Sequence, residues 1–265
     1  MTTTADRAAT FRALHRPGAP LVLVNAWDAA SACVFAEAGA PAIATSSAAL
    51  AWSLGYADGQ HLPLPLLVET VARIVRVVDV PVSVDLEAGY GATPDAVCAA
   101  VRQVVDAGGI GINIEDGDGD PTVLAAKIAA IRALELPLFV NARCDVFLRG
   151  LGAPEGRLAE AERRGRQYAA AGADGIFVPA LLDLDAVAHL ARALPRPLNV
   201  LAWSGAPSVP DFAAAGVARV SVGCSPMQAT LGLARRMAKE LLGAGTYAAM
   251  GDGLSVGEVN GLFAR

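Results

Sequence analysis

The sequence has no excess of basic charge, and this absence argues against one broad class of function. It carries 21 Lys and Arg residues against 26 Asp and Glu residues, for a formal net charge of −5 and an isoelectric point near 5.2. A protein that binds the nucleic-acid backbone needs a basic face to neutralise phosphate groups. We therefore expect no nucleic-acid partner.

Cysteine is scarce and scattered. The four cysteines contain no C-x-x-C pair and lie far apart in the sequence, at Cys33, Cys98, Cys144 and Cys224. Zinc sites and redox-active disulfides use closely spaced pairs. We therefore expect reduced, structural thiols.

The chain also lacks a long uninterrupted apolar run. Its longest uncharged region, about residues 38–57, is broken by Gly39, Pro41 and Gly55, which makes it a poor membrane-spanning helix. The first residues include Asp6 and Arg7 and show no apolar core like that of a signal peptide. These features predict a soluble, cytoplasmic protein without a membrane partner.

Three catalytic signatures are missing from the positions where their chemistry needs them. A Schiff-base aldolase needs a lysine on a barrel strand, but the only lysines, Lys127 and Lys239, fall on predicted helices. The one G-x-S-x-G sequence, at residues 253–257, follows no predicted strand and so lacks the strand–turn–helix setting of a hydrolase nucleophile, and no G-x-G-x-x-G sequence follows the first strand to mark a dinucleotide site. What remains is metal-assisted chemistry on an oxyacid.

Buried strands and helices dominate what is present. The chain is 54% hydrophobic with a mean hydropathy of +0.44, which suits parallel strands covered on both faces. Eight short β-rich runs alternate with helical patterns, and the runs are Leu21–Ala26, 42–46, Val82–Asp85, Gly111–Glu115, 138–143, 175–179, 198–202 and 219–223. Eight such units in about 250 residues predict an α/β fold, a (β/α)₈ barrel of the TIM type. A doubly wound open sheet is the alternative.

The helical patterns between the strands extend to a helix after the last strand. They are predicted at residues 64–78, 94–107, 122–133, 153–171, 184–194, 209–215 and 226–242. We expect one barrel domain over residues 1–242 and a C-terminal helical extension over residues 243–265. The extension exceeds what a closed barrel needs, and we expect it to make an oligomer contact.

Polar side chains follow the predicted strands at the ends where this fold carries its active sites. The third strand ends with Asp85 and Glu87, one residue apart, so both side chains project to the same face. Glu115 ends the fourth strand and Arg143 ends the fifth. Carboxylate oxygens suit Mg²⁺ or Mn²⁺, and an arginine ending a buried strand requires an anion. The pattern predicts a divalent-cation site beside a bound oxyacid.

Three nearby residues have simpler explanations. Asp28 directly precedes a predicted helix that begins at Ala29, which favours an N-cap over a metal ligand. Trp27 either packs at the barrel mouth or forms an aromatic wall over a small substrate. Cys144 neighbours Arg143 on one strand, so alternation predicts that it points away from the barrel interior and packs under a helix.

Together these motifs resemble those of the isocitrate lyase/phosphoenolpyruvate mutase superfamily, from about Leu21 to Leu242. The motifs that carry the resemblance are Asn25-Ala26-Trp27-Asp28, Thr45-Ser46-Ser47, Leu54-Gly55-Tyr56-Ala57-Asp58, Asp85-Leu86-Glu87-Ala88-Gly89-Tyr90-Gly91, Ile114-Glu115-Asp116 and Ala142-Arg143-Cys144-Asp145. Each motif is short, but the set is specific. The resemblance implies a barrel whose C-terminal helices are exchanged between subunits, and we expect a homo-oligomer, a dimer or a tetramer.

The resemblance also implies roles for individual residues. It implies Mg²⁺ bound through Asp85, Glu87 and Glu115, partly through water. It places Asp58 near the metal shell, and Asp58, Glu115 and Arg143 are the candidate catalytic residues. The candidate contacts to a 2-oxo or 2-hydroxy acid are Arg143, the backbone of Ser46, Ser47 and Ala48, the side chain of Asn199, and Trp27.

Departures from the family pattern narrow the expected activity. The lyases carry a Lys-Lys-Cys-Gly-His segment, with the cysteine as proton donor, on a mobile loop after the fourth strand. Here that loop is residues 117–122, without cysteine or basic residues, and the longer polar loop of phosphonate-processing members is also missing. We therefore expect a Mg²⁺-dependent lyase that cleaves or decarboxylates a carbon–carbon bond of a small dicarboxylate through a metal-stabilised enolate, with a water or Asp58 handling the proton. The alternatives are phosphorus–carbon chemistry on phosphonopyruvate or phosphoenolpyruvate, and a 2-oxo-acid-binding barrel with little turnover.

Overall fold

Eight short parallel strands form the centre of the molecule, whose computed structural model describes residues 3–264. Each strand pairs in parallel with the next, and the last pairs with the first, so the sheet closes into a barrel. The strands are β1 (Leu21–Ala26), β2 (Ile43–Thr45), β3 (Val82–Asp85), β4 (Gly111–Glu115), β5 (Phe139–Arg143), β6 (Gly175–Val178), β7 (Leu198–Leu201) and β8 (Arg219–Ser221). The predicted TIM-type barrel is confirmed.

Helices alternate with the strands and cover the outside of the barrel. They are α1 (Thr4–Leu14), α2 (Ala29–Glu37), α3 (Ser47–Ser53), α4 (Leu64–Val77), α5 (Pro94–Asp106), α6 (Pro121–Arg132), α7 (Arg157–Ala170), α8 (Leu184–Ala193), α9 (Val209–Ala214), α10 (Ser225–Gly243) and α11 (Val256–Phe263). The predicted elements match these bounds to within two residues, except at α7. There a separate 3₁₀ turn, Pro154–Gly156, takes the place of the first predicted helical turn.

The main apolar core lies between the strands and the outer helices. Strand residues such as Val84, Ile112 and Val140 are fully buried and belong to one cluster with helix residues such as Val101 and Ile128. Full burial of a side chain of this size stabilises the fold by about 1.5–3 kcal/mol. Cys144 belongs to the same cluster, so its predicted position beneath a helix is confirmed.

The N-terminal end of the barrel is sealed by α1. Phe11 and His15 of this helix pack on Phe139 at the start of β5, with ring centroids 5.3 Å apart edge-to-face for Phe11 and 4.2 Å apart in a stack for His15. Offset and edge-to-face aromatic pairs stabilise beyond their buried area. Because this end is closed, a ligand reaches the barrel interior from the opposite end, where the strands terminate.

The sealing helix makes stability sensitive to acid. His15 Nδ1–H donates to the Phe11 carbonyl at 2.8 Å, Nε2 has no partner, and burial followed by the charge of Arg219 lowers the pKa of His15 from 6.5 to about 3. Below pH 6.5 the unfolded chain binds a proton at His15, whereas His15 of the folded protein stays neutral. The contribution of neutral His15 to the free energy of unfolding is therefore fully present above pH 6.5 and decreases as the pH falls. We expect a loss of about 2.5 kcal/mol in the free energy of unfolding between pH 6.5 and 4.5 from this residue.

Urea unfolding across this pH range checks the expectation. His15→Gln should flatten the acid side of the profile, whereas the same change at the exposed His189 should leave it within about 0.5 kcal/mol of the parent. Parallel profiles for the parent and His15→Gln would refute the assignment.

The C-terminal segment continues past the barrel and folds back onto it. Leu262 of α11 packs against the buried cluster that contains Cys33 of α2 and Val82 of β3. Within residues 3–264, no helix combines the length and apolarity needed to cross a membrane.

Candidate active site

A pocket opens at the C-terminal end of the barrel and brings together most of the predicted site residues. Its volume is about 260 Å³, and its lining includes Ser46, Ser47, Ala48, Asp58, Asp85 and Arg143. A larger groove of about 560 Å³ lies between α2 and the C-terminal segment, but it contains no strand-end residue. The smaller pocket is therefore the candidate active site.

Asp85 is held by one carboxylate oxygen while the other stays free. Its Oδ2 accepts hydrogen bonds from Ser47 Oγ at 2.8 Å and from the Ser47 backbone N–H at 3.1 Å. Its Oδ1 is buried and has no hydrogen-bond partner. A buried, unpaired carboxylate oxygen is unfavourable unless a cation or a donor completes it. Asp85 is therefore built to accept a ligand from within the pocket.

The first turn of α3 positions Asp85, and the sequence prediction did not include this helix. Ser46 caps the helix by accepting from the Ala49 backbone N–H at 3.5 Å, so the following Ser47 N–H is free to face β3. On the neighbouring strand, the Thr45 hydroxyl accepts from the Asp85 backbone N–H at 2.9 Å. Ser46 and Ser47 therefore help to position the Asp85 carboxylate, and the Ser47 backbone N–H forms its hydrogen bond to Asp85.

Glu87 lies in the turn after β3 with a left-handed backbone, at φ +50°. Its Oε2 accepts from the Gln60 backbone N–H at 2.6 Å, and its Oε1 accepts from the Tyr90 hydroxyl at 3.1 Å. Burial, and next the nearby charge of Asp85, raise the pKa of Glu87 to about 7. The carboxyl group is therefore ordered by protein partners yet close enough to Asp85 to feel its charge.

Glu115 and Arg143 face each other across two adjacent strands. Arg143 Nη1 lies 2.6 Å from Glu115 Oε2, and the guanidinium also donates from Nε and Nη2 to the two oxygens of Asp145, at 2.6 and 3.0 Å. Burial raises the pKa of Glu115 to about 8, against the opposing charge of Arg143 and with the help of Asp85. Burial alone would lower the pKa of Arg143, but the neighbouring charges of Glu115 and Asp145 outweigh burial and raise this pKa above its ordinary value. The guanidinium therefore stays charged.

The three carboxylates predicted as metal ligands do not form a ready-made cage. Among residues 3–264, no three Asp, Glu, His or Cys side chains converge tightly enough to coordinate one ion directly. Asp85 Oδ1 is buried without any protein partner, whereas Glu115 Oε2 accepts no hydrogen bond but lies 2.6 Å from Arg143 Nη1, and Glu87 accepts hydrogen bonds at both oxygens. Mg²⁺ commonly takes one or two carboxylates directly and keeps several waters. The donor set fits that mode for a Mg²⁺ ion that Asp85 would contact directly and the two glutamates would contact through water.

Asp116 anchors the strand-end loops to α7 and has no access to the pocket. It accepts hydrogen bonds from Arg164 Nη1 at 2.8 Å, Tyr168 hydroxyl at 2.6 Å and the Asp145 backbone N–H at 2.8 Å. Asp145 in turn forms an ion pair with Arg143. Arg164 and Tyr168 of α7 therefore help to set the position of the Arg143 guanidinium through Asp116 and Asp145.

Two predicted substrate contacts lie elsewhere. Trp27 packs against Phe35 with ring centroids 6.1 Å apart and does not line the pocket, which corresponds to its packing alternative. Asn199 is 1% exposed and lies below the pocket, where it donates to the Arg219 carbonyl at 3.1 Å and to Ser221 Oγ at 3.2 Å. Asp28 accepts from the Ser31 N–H at 2.7 Å, so its predicted role as the N-cap of α2 is confirmed.

The pocket also contains residues that the candidate set omitted, among them Asn113 and Cys224. The place of Asn113 in the pocket could have been predicted from the sequence. It lies two residues before Glu115 on β4, so the two side chains project to the same face of the strand. Cys224 follows β8 after Gly223, which adopts φ +54°, and a scattered cysteine offers no comparable signal. Burial raises the pKa of the Cys224 thiol, and Asp58 and Asp85 add to the effect.

Curated relatives share most of the chain. An uncharacterised protein of Mycobacterium tuberculosis is 38% identical over 234 residues, covering 87% of this chain and 88% of the relative. The 2-methylisocitrate lyase of Bacillus subtilis is 32% identical over 73% of this chain and 66% of its own length. The oxaloacetate decarboxylase of Pseudomonas savastanoi pv. phaseolicola is 30% identical over 78% of this chain and 74% of its own length.

Solved structures agree with these relatives. A Burkholderia cenocepacia J2315 protein, provisionally described as a lyase/mutase, superposes with a TM-score of 0.90 at 35% identity, covering 99% of this chain and 97% of that one. A phosphonopyruvate hydrolase in complex with oxalate and Mg²⁺ gives a TM-score of 0.84 at 26% identity, covering 97% and 94%. The family model described as phosphoenolpyruvate phosphomutase matches residues 11–242. The resemblance inferred from the strand-end motifs is confirmed, and the chain belongs to the phosphoenolpyruvate phosphomutase family, within the isocitrate lyase/phosphoenolpyruvate mutase superfamily.

Proposed function

We propose that this protein is a Mg²⁺-dependent lyase that cleaves or decarboxylates a carbon–carbon bond of a small 2-oxo or 2-hydroxy dicarboxylate. The observation that carries the proposal is the pairing, in one pocket, of a free Asp85 oxygen with the charged guanidinium of Arg143. One group attracts a cation and the other an oxyanion. Relatives of this chain include a 2-methylisocitrate lyase and an oxaloacetate decarboxylase, which supports carbon–carbon chemistry.

The dimensions and charge of the pocket favour a small dianion. A volume of about 260 Å³ is below the range of roughly 300–1,000 Å³ typical of drug-sized ligands. Arg143 binds a substrate carboxylate through the guanidinium hydrogens that Glu115 and Asp145 leave free. Mn²⁺ suits the same oxygen ligands, so it is the alternative metal.

Bond cleavage next to a 2-oxo group leaves an electron pair that the substrate must delocalise as an enolate. Mg²⁺, when bound, supplies positive charge where negative charge develops on the substrate oxygen. Arg143 orients the carboxylate, and Glu87 and Glu115 would hold a bound Mg²⁺ ion through intervening water. Asp58, exposed on the pocket rim, or a water beside it handles the proton.

The loop after β4 is short. Only residues 116–120 separate β4 from α6, and they include neither cysteine nor a basic residue. A lid usually excludes water during such chemistry. The alternatives of phosphorus–carbon chemistry and of binding with little turnover therefore remain as outcomes of the test.

The C-terminal segment supports assembly into a dimer or a tetramer with exchanged helices. Several apolar side chains are exposed along α10 and beyond it, including Leu242 at 86%, Val256 at 78% and Tyr247 at 67%. An exposed apolar surface of this kind marks interaction sites. Sedimentation velocity measures the oligomeric state directly.

Turnover on a small substrate panel tests the proposal. The panel contains oxaloacetate, 2-methylisocitrate, dimethylmalate, phosphonopyruvate and phosphoenolpyruvate, each with Mg²⁺ or with EDTA, and products are followed by NMR. We expect metal-dependent release of pyruvate or another 2-oxo acid. Phosphorus-containing products would establish the mutase alternative, and silence with Mg²⁺-dependent oxalate binding would favour the binding barrel. Absence of both turnover and metal binding would overturn the assignment of the site.

A further inference from the structure

A fully buried arginine lies inside the barrel beneath the pocket. Arg219, the first residue of β8, is 0% exposed, and within residues 3–264 it forms no ion pair. Its Nε donates to Ser221 Oγ at 3.1 Å, its Nη2 donates to Asn113 Oδ1 at 3.3 Å, and its Nη1 has no partner. Burial lowers the pKa of Arg219, and the charge of Asp85, which lies beyond ion-pair distance, offsets this only in part. A charge buried in this way is unfavourable, so its position calls for a function.

The hydrogen bonds around Arg219 fix the orientation of the Asn113 amide. A guanidinium only donates, so the group of Asn113 that faces it must be the amide oxygen. Asn141 Nδ2 donates to the same oxygen at 2.9 Å. Two donors therefore hold the Asn113 Oδ1 below the pocket floor, and the Asn113 amide NH₂ points toward the pocket.

The free end of Asn113 faces the ligand. Asn113 lines the pocket, and no residue of the described chain accepts a hydrogen bond from its Nδ2. Asn113 is also the register partner of Asp85 on the adjacent strand. Neighbouring strands lie about 4.8 Å apart, so a ligand oxygen near Asp85 is within reach of this amide.

We propose that the Asn113 amide donates a hydrogen bond to an oxygen of the bound oxyacid, and that Arg219 is the positioning residue which holds the amide in that orientation. The inference rests on the proposed function, because it assumes an oxyacid beside Asp85. The Asn113 amide would make the pocket floor selective for hydrogen-bond acceptors. A carboxylate or enolate oxygen binds there, and a group that can only donate a hydrogen bond is rejected.

Oxalate titration by calorimetry in saturating Mg²⁺ tests this assignment on the whole protein. Asn113→Asp replaces the donor with an acceptor and gives Arg219 a carboxylate partner, so we expect retained or raised melting temperature with oxalate affinity lowered about 10- to 100-fold. Asn113→Ala removes the donor without adding charge and should weaken oxalate to a similar extent. Mg²⁺-linked thermal stabilisation, measured in the same variants, should persist.

The role of Arg219 is tested by coupling. Arg219→Met should weaken oxalate binding in the parent but have no further effect in the Asn113→Ala background, since it acts through that amide. If Arg219→Met does not fold, Arg219→Lys replaces it in the same cycle, because it keeps the buried charge but loses the planar guanidinium that holds the Asn113 oxygen.

The possible outcomes separate this inference from the proposed function. Failure of the parent to bind oxalate with Mg²⁺ would overturn both. Normal oxalate binding by the parent and by both Asn113 variants would overturn this inference and leave the lyase assignment intact. Weakened binding that is additive between Asn113→Ala and Arg219→Met would retain Asn113 as a ligand contact and overturn the positioning role of Arg219.

Discussion

Asp85→Asn should abolish the rise in melting temperature that Mg²⁺ gives the parent protein, and turnover should fall at least about 100-fold. Asparagine keeps the size of the side chain, and its oxygen still accepts from Ser47, but it removes the charge at the free Oδ1 position. Metal at 100 times its dissociation constant stabilises a protein by about 2.7 kcal/mol, so the shift is measurable by calorimetry.

The metal-free stability of this variant provides an internal check. The charge of Asp85 helps to raise the pKa of Glu87 and Glu115, but it also raises the pKa of Arg143 and Arg219, so its removal relieves repulsion and loses attraction together. The metal-free melting temperature of Asp85→Asn should therefore stay close to that of the parent. A lost Mg²⁺ response then reflects a lost ligand and not a damaged fold.

Asp28→Ala is the matched control, because it removes a carboxylate that follows β1, at the same end of the barrel but two strands away from β3. Asp28 caps α2 together with Ser31, so its loss should lower the free energy of unfolding by about 1 kcal/mol. The Mg²⁺ response should stay at the parental size. Identical behaviour of the two variants would contradict the distinction between ligand and cap.

The barrel was predictable because its signals are local and periodic. Each strand is a short apolar run with a helix after it, and Pro94 and Pro121 stand in the first turns of α5 and α6, where proline is well tolerated. Carboxylates at the ends of β3 and β4 follow from the same pattern, since parallel strands end at one edge. The pocket residues Asp85 and Arg143 were found for that reason.

What the sequence did not predict depends on the stagger between strands. Arg219 begins β8, yet register pairs it with Asn199, the second residue of β7, so both side chains lie one layer below the pocket. A prediction from strand ends alone therefore put Asn199 in the pocket, although it lies one layer below, and it did not include Arg219. Helix α3 was missed because its residues, Ser47–Ser53, carry no polar stripe and little periodicity over seven positions.

Arg143→Lys should lower oxalate affinity and kcat/KM about 30- to 1,000-fold, corresponding to about 2–4 kcal/mol. The guanidinium makes three contacts at once, two to Asp145 and one to Glu115, and still lines the pocket with its remaining hydrogens. A lysine ammonium is a single point charge and cannot keep these partners while presenting two hydrogens to a carboxylate.

Arg149→Lys provides the comparison, since Arg149 also donates to Asp145, at 3.2 Å, but its side chain is 45% exposed against 17% for Arg143. It should change oxalate affinity by less than about threefold, because exposed pairs are worth about 1 kcal/mol or less. Both variants should be titrated below their melting temperatures, with Mg²⁺ at saturation. Equal affinities for the two would mean that Arg143 only braces the strand ends, and the carboxylate would then have to be held by the pocket floor alone. A selective loss in Arg143→Lys would instead support Arg143 as the group that binds the substrate carboxylate, in the same pocket as the Asp85 oxygen that would hold the metal.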